Sequence, residues 1–215
     1  MKIAIIGATG FVGSNLVKEF AHRGHEVTAI ARNPTTDAEG NVKPVKADIF
    51  DAAALADILK GHDTVVSSYN PGWTNPNIYD DFIAGSRSIQ LAVKESGVKR
   101  LITIGGAGSL FVAPGVQAVD GPDFPKEYYP GASAARDYLN IIKEEKDLDW
   151  VFFSPAFEMH PGITTGRTGK YRLGLENPVF DNGQRSILSV EDLAFVIADE
   201  VENPKHHQQR FTAAY

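Results

Sequence analysis

Glycine stands at positions 7, 10 and 13 of this 215-residue chain, in the run Gly7-Ala8-Thr9-Gly10-Phe11-Val12-Gly13. Glycines so spaced can do one kind of chemistry without a reactive side chain. The backbone bends sharply there, and a ligand can approach where a Cβ would block it. A helix starting at the last glycines points its free N–H groups and positive dipole end at that ligand, and a pyrophosphate is the expected occupant. In sites that take NAD, a carboxylate about 20 residues further on holds a ribose hydroxyl. This chain has Ala31-Arg32-Asn33 there. A small residue followed by arginine suits a 2′-phosphate through charge-assisted hydrogen bonds, so NADP(H) is favoured over NAD(H). The alternative is that Arg32 is a solvated surface arginine.

The flanking elements have to hold that turn. Ile3, Ile5 and Ile6 form the continuous apolar run of a parallel strand buried on both faces. Phe11, Val12, Leu16, Val17 and Phe20 recur at helical spacing, Gly24 closes the helix, and residues 26–30 supply the second strand of a βαβ unit. The alternation continues with strands expected at 42–47, 64–67, 100–104 and 150–153. Helices are expected at 52–60, 78–96 and 132–146, with Ile78, Phe82, Ile89 and Val93 as the buried stripe of the second. This is the pattern of an α/β protein, a doubly wound parallel sheet in one domain over residues 1–215, with a small C-terminal extension on the substrate side. Two long segments, 105–130 and 155–183, follow strands. Ligands bind outside the carboxyl ends of such strands, so the substrate pocket is expected at that rim.

Composition narrows the classes. At 215 residues the chain suffices for one sizeable core. A formal net charge of −6 gives no basic excess with which to neutralise a nucleic acid, so none is expected as partner. Absence of cysteine excludes disulfides, thiolate metal sites and cysteine nucleophiles. No apolar stretch reaches membrane-spanning length. The first strand opens at residue 2, so no cleavable signal is expected and the expected location is cytoplasmic. The pair His206-His207 lacks identifiable further ligands, and no metal site is expected. Nothing chooses between monomer and homodimer.

Further motifs carry a family resemblance over essentially the whole chain: Asp48 after the third strand, Leu148-Asp149-Trp150, Ser154-Pro155 and Thr168-Gly169-Lys170-Tyr171. Ile187 to Ala194 follows, with a capping-box-like Ser189 and Asp192, then Asn203-Pro204-Lys205-His206 and Arg210-Phe211-Thr212. In this order they resemble the extended or atypical branch of the short-chain dehydrogenase/reductase superfamily, an NAD(P)-binding Rossmann fold. The nearer likeness is to the NAD(P)H-flavin reductase group that includes the biliverdin reductase B type. The resemblance implies that Thr9, Gly10, Phe11 and Val12 line the pyrophosphate and that Arg32 holds the 2′-phosphate. It implies Asp48 and Ile49 at the adenine, Ser67 and Ser68 along the ribose, and Gly105, Gly106 and Pro155 around the nicotinamide. Strand-end polarity is the alternative for the two serines, and helix capping for Asp48.

The wider superfamily reduces carbonyls with a serine and a Tyr-x-x-x-Lys pair, in which tyrosine acts as general acid. Here the residue four after Tyr129 is Ser133, and four after Tyr128 is Ala132. Gly105-Gly106 stands at the serine position, with Ser109 a little beyond. Tyr138 and Lys143 have the wrong spacing and read as structural. Ser109 and Tyr129 are the candidate catalytic residues in what remains. A flavin or quinone needs no protein acid, because its conjugated ring accepts hydride and takes a proton from water. The expected function is an NAD(P)H-dependent oxidoreductase passing hydride to such a planar acceptor. Phe111 and Phe157, with Tyr128 and Tyr129, are candidate walls for it, and His160 and Arg167 candidates for an anionic group on it. Each aromatic could instead simply cover the sheet end. A non-catalytic NADP(H) sensor and, less favoured, a nucleotide-sugar epimerase or dehydratase are the competing readings.

Overall fold

The computed structural model describes residues 1–34 and 40–215. β1 (Lys2–Ile6) feeds α1 (Phe11–His22), and β2 (Glu26–Ala31) returns beside β1 in parallel. β3 (Val42–Lys46), α2 (Ala52–Leu59), β4 (Thr64–Ser67), α3 (Ile78–Ser96) and β5 (Arg100–Ile104) continue the alternation. After β5 comes a short antiparallel pair, β6 (Phe111–Ala113) and β7 (Val116–Gln117), then α4 (Tyr129–Ile142) and β8 (Asp149–Phe153). β9 (Arg172–Gly174), α5 (Val190–Glu202) and β10 (Gln209–Ala214) end the chain. The main sheet has the order β3-β2-β1-β4-β5-β8-β10-β9, parallel except for β9. This is the doubly wound α/β architecture that the alternation predicts.

Alternate residues of each strand feed opposite cores. Ile3 and Ile5 join Leu16, Phe20, Leu193, Ile197 and Phe211 under α1 and α5. Ala4 and Ile6 join Leu55, Phe82, Ile89, Tyr138 and Phe152 under α2, α3 and α4. Burial on both faces is why β1 reads as an unbroken apolar run. Among the described residues no helix is long and apolar enough to cross a membrane.

The structure departs from the expected pattern at particular places. The fourth helix starts three residues early, at Tyr129, because Pro130 fits the first turn, where its missing N–H loses no intrahelical bond. From Arg172 onward the chain adds two strands, β9 and β10, to the main sheet, beyond the six strands the pattern predicts. Half of the expected capping box forms. The Ser189 hydroxyl accepts from the Asp192 N–H at 3.1 Å, but the Asp192 carboxylate turns away from the helix start. It accepts instead from Thr168 N (2.8 Å), Thr168 Oγ1 (2.6 Å), Gly169 N (2.8 Å) and Tyr215 OH (2.7 Å). Those bonds pin the long segment after β8 onto α5.

Ion pairs fasten the sheet edge opposite the glycine turn. Buried Arg100 at the start of β5 donates to Asp149 (2.8 Å), to Glu200 (2.6 Å) and to the His206 carbonyl (2.8 Å). Burial would raise the Glu200 pKa, but hydrogen bonds from the His206 ring and the His206 and Lys205 N–H groups hold it below its ordinary value. His206 and His207 face Glu200 and Asp149 respectively, so both belong to this network.

Glu145 closes the end of α4 against α3, accepting from Asp147 N (2.7 Å), Gln90 Nε2 (2.9 Å) and Lys94 Nζ (3.0 Å). Burial works to raise its pKa, yet these donors bring it from the ordinary 4.5 down to about 2. A depressed carboxylate contributes stability that is complete above 4.5 and is lost as pH falls towards about 2. Chemical denaturation across that window is expected to show stability declining with pH in the wild type and a shallower decline in Glu145→Gln. Equal slopes would remove Glu145 from the acid sensitivity.

Candidate functional site

The turn after β1 is tied down by its own backbone. Gly7 sits at φ +80°, a conformation that side chains resist. The N–H groups of Gly7 and Ala8 both donate to the Ile30 carbonyl, at 3.0 and 3.1 Å, fixing the turn to the end of β2. A Cβ on Gly13 would lie 2.0 Å from the Gly7 oxygen and 2.8 Å from Ser68 Oγ, so α1 begins directly against the turn. Gly10 is the N-cap residue of α1, with no side-chain cap and no acid in the first turn, whereas Asp51 caps α2 and Ser189 caps α5. Among the described residues the N–H groups of Thr9, Phe11, Val12 and Gly13 donate to no protein acceptor. Thr9, Gly10 and Phe11 are exposed. A bare positive helix end at the carboxyl edge of the sheet fits the diphosphate of a dinucleotide.

Towards β2 and β3 the structure groups four side chains. Arg32 is exposed after β2 and makes no hydrogen bond or ion pair among the described residues; residues 35–39 lie outside them. Asp48, exposed after β3, accepts from Phe50 N at 3.0 Å in a local turn, and Asp51 rather than Asp48 caps α2. Ile49 is buried, and its Cδ1 would lie 2.8 Å from a Cβ on Gly85 of α3. Tyr69 meets the same glycine, with Cε1 2.4 Å from that point. Its hydroxyl donates to the Asp81 carbonyl at 3.0 Å. Burial first, then the Asp81 and Asp48 charges, push the Tyr69 pKa up to about 12 against the nearby Arg32 cation. Sequence reasoning passed over Tyr69; an aromatic two residues past β4, paired with a glycine inside α3, was the available signal.

The ends of β4, β5 and β8 meet the turn from the other side. Ser67 is buried, and its Oγ accepts from Tyr69 N at 3.5 Å. Ser68 sends both its N–H and its hydroxyl proton to the Ile6 carbonyl, each at 2.9 Å, so that hydroxyl staples β4 to β1 and its proton is committed within the protein. A Cβ on Gly105 would lie 2.0 Å from the Phe152 ring, and one on Gly106 3.2 Å from Ala135 Cβ. Packing alone therefore requires a residue without a side chain at 105. Pro155 is buried at the end of β8, where Gly105 N donates to the Phe153 carbonyl at 2.8 Å.

The remaining candidates divide. Ser109 is 0% exposed. Its hydroxyl donates to the Gly106 carbonyl at 2.8 Å and lies 2.9 Å from Ser154 Oγ, so Ser154 is the donor of that second bond. The Ser109 proton is thus held by an acceptor within the protein. Tyr129 is exposed in the first turn of α4, and the Ser133 hydroxyl donates to the Tyr129 carbonyl at 2.7 Å. Phe157 and Phe180 are exposed with ring centroids 6.2 Å apart. Phe111 is half-buried, its ring centroid 5.2 Å from the Arg210 guanidinium carbon. His160 is exposed and accepts from Gly162 N at 3.1 Å. Arg167 does not join the rim. It grips Glu19 with two hydrogen bonds of 2.7 and 3.0 Å, about 12 Å down α1 from Phe11 at 1.5 Å per residue. The buried carboxylate of Glu19 holds that guanidinium.

Comparisons with known proteins agree on the fold and the ligand class. A family profile described as NAD(P)H-binding matches residues 7–204. The uncharacterised protein YwnB of Bacillus subtilis (strain 168) is 36% identical over 214 residues, covering 99% of this chain and 97% of that protein. A solved structure from Bacteroides thetaiotaomicron, provisionally named an epimerase, is 45% identical with a TM-score of 0.91, covering 100% of this chain and 96% of its own. Another, from Streptococcus pneumoniae TIGR4 and provisionally named an NADH-flavin reductase, is 32% identical with a TM-score of 0.85, covering 100% and 99%. Two activity names on one fold leave the reaction to be argued from the site.

Gly13→Ala tests the cradle. Its methyl would meet backbone atoms that cannot swing aside. A stability loss of about 1–3 kcal/mol is expected in thermal denaturation, together with loss of NADPH binding in a fluorescence titration. Unchanged affinity would show that the contact between α1 and the turn is dispensable for the ligand.

Proposed function

We propose, on the premise that this chain belongs to the NAD(P)H-binding family of Rossmann-fold, oxidoreductase-like proteins, that it is an NADPH-dependent reductase of planar acceptors such as flavins or quinones. Thr9, Gly10, Phe11, Val12 and Gly13 would hold the diphosphate with the uncapped end of α1. Arg32 would hold the 2′-phosphate, and Asp48 and Ile49 the adenine. Gly105, Gly106 and Pro155 would frame the nicotinamide at the ends of β5 and β8. The bound cofactor supplies a hydride; the chain's residues bind and orient it against the acceptor.

The observation that carries the choice of acceptor is the state of the hydroxyls where carbonyl reductases keep their acid. Position 133 holds serine in place of lysine, and its hydroxyl is bonded back to Tyr129's own carbonyl. No cation therefore reaches Tyr129 from that position to ease loss of its proton. Ser109 gives its proton to Gly106. An acceptor that draws its proton from water suits such a site, and a ketone or sugar does not.

NADPH absorbance followed against FMN, FAD and quinones is expected to fall with at least one of them. Arg32→Ala is expected to raise the KM for NADPH about tenfold or more, the worth of a charge-assisted bond to phosphate, and to leave the KM for NADH little changed. If the NADPH/NADH preference survives that substitution, the assignment to NADPH fails. Binding of NADP⁺ and NADPH without turnover of any acceptor would replace the reductase with a redox sensor.

A further inference from the structure

The loop between β4 and α3 is built to hold one large side chain out of the core. Asn70 Oδ1 accepts from Gly72 N at 2.7 Å, Gly72 sits at φ +107°, and Asn75 N returns to the Gly72 carbonyl at 3.0 Å. Asn75 then bonds Asn77 N at 2.9 Å and Asp81 at 2.8 Å. Between these turns stands Trp73, 56% exposed. Its position is nevertheless defined. A Cβ on Gly131, in the first turn of α4, would lie 2.7 Å from Trp73 Cζ3, so the glycine makes the seat for the indole. The Tyr128 ring meets it at 87° with centroids 5.5 Å apart, and Tyr128 and Tyr129 are 49% and 46% exposed.

Trp73 and Tyr128 in edge contact, with Tyr129 next along the chain, leave large aromatic rings exposed at one place. Their place gives them a use. The loop leaves β4 directly after Ser68, the residue bonded to the end of β1, and so starts at the edge that carries the glycine turn. Tyr128 and Tyr129 stand at the start of α4, which connects the parallel strands β5 and β8 and so begins at the same edge. The corner therefore stands at the carboxyl edge of the sheet, the edge that carries the glycine turn.

We infer that Trp73, seated on Gly131 and braced by Tyr128, is the specificity-determining residue for the acceptor, and that a conjugated planar ring system stacks on this aromatic corner. The inference rests on the reductase reading and adds to it the surface that selects a flat substrate. Neither Phe111 nor Phe157 is required for it.

Trp73 and Trp150 are the two tryptophans of the chain, and Trp150 is 2% exposed. Fluorescence therefore reports on the corner with an internal buried reference, and it needs no turnover. In the NADP⁺-loaded protein, FMN or menadione is expected to quench the accessible fraction saturably. Trp73→Leu is expected to weaken FMN binding, followed by equilibrium dialysis, about tenfold, the usual worth of one ring stack. Gly131→Ala, which displaces the indole without removing it, should weaken it in the same direction. In steady state Trp73→Leu should raise the KM for FMN and leave the KM for NADPH in place. Wild-type affinity in Trp73→Leu, or no saturable quenching by either compound, overturns the inference. So does a Trp73 shielded from acrylamide in a dimer that Trp73→Leu dissociates, since a second copy would then cover the corner. NADPH oxidation that proceeds without any involvement of Trp73 sinks the inference and spares the reductase. Saturable FMN binding at Trp73 without any turnover supports the corner and sinks the reductase.

Discussion

The contact between Gly13 and the Gly7 carbonyl governs the rest of the structure. It lets α1 start against the end of β1, so that among the described residues the N–H groups of Thr9, Phe11, Val12 and Gly13 are left without a protein acceptor at the carboxyl edge of the sheet. Ser68 shares the same small space and, by bonding the Ile6 carbonyl, draws β4 against β1 there. A side chain at position 13 would push the helix off the turn and turn its dipole away from the crevice. The chain leaves this helix uncapped although two others are capped by side chains, an arrangement that makes physical sense when a ligand's anion completes it.

The two edges of the sheet divide the labour. At the amino-terminal edge, Arg100, Glu200, Asp149 and His206 spend buried charge on holding β5, β8 and α5 together. Losing one partner there would strand a buried charge, a far larger penalty than losing a surface pair. Elsewhere uncharged donors do the fastening. Asp192 receives four donors and fixes the segment from Thr168 to Gly169, and Ser109, Ser154 and Gly106 close among themselves. The exposed rim is then left to backbone N–H groups, glycines and aromatics.

That division bears on chemistry. Binding a dinucleotide asks for bare backbone, and the turn after β1 offers it among the described residues. Proton donation asks for a hydroxyl with a nearby cation, and the hydroxyls of Ser68, Ser109 and Ser133 each donate to a backbone carbonyl.

Much of the scaffold was legible in the residues. The period of apolar positions set β1, β4, β5 and α3, and Gly97 at φ +84° ends α3 where its sequence stops being periodic. These are local effects, decided within a few residues of chain. The cradle was legible for the same reason: the conformational freedom of Gly7 and the spacing to Gly13 are properties of consecutive residues. The roles of single polar side chains were not. Arg167 looks like a free cation in the sequence and is held by Glu19, 148 positions away. Ser109 looks like a catalytic hydroxyl and is bonded to Ser154, 45 positions away. β10 carries too little pattern in Thr212-Ala213-Ala214 to be read alone, and becomes a strand because β8 and β9 offer it partners. Trp73 and Tyr69 acquire their places only from glycines in α4 and α3. Backbone preference is written locally and survives reading in one dimension. The partner of a side chain is chosen by which distant segment the packing brings within about 3 Å, and only the folded chain decides that.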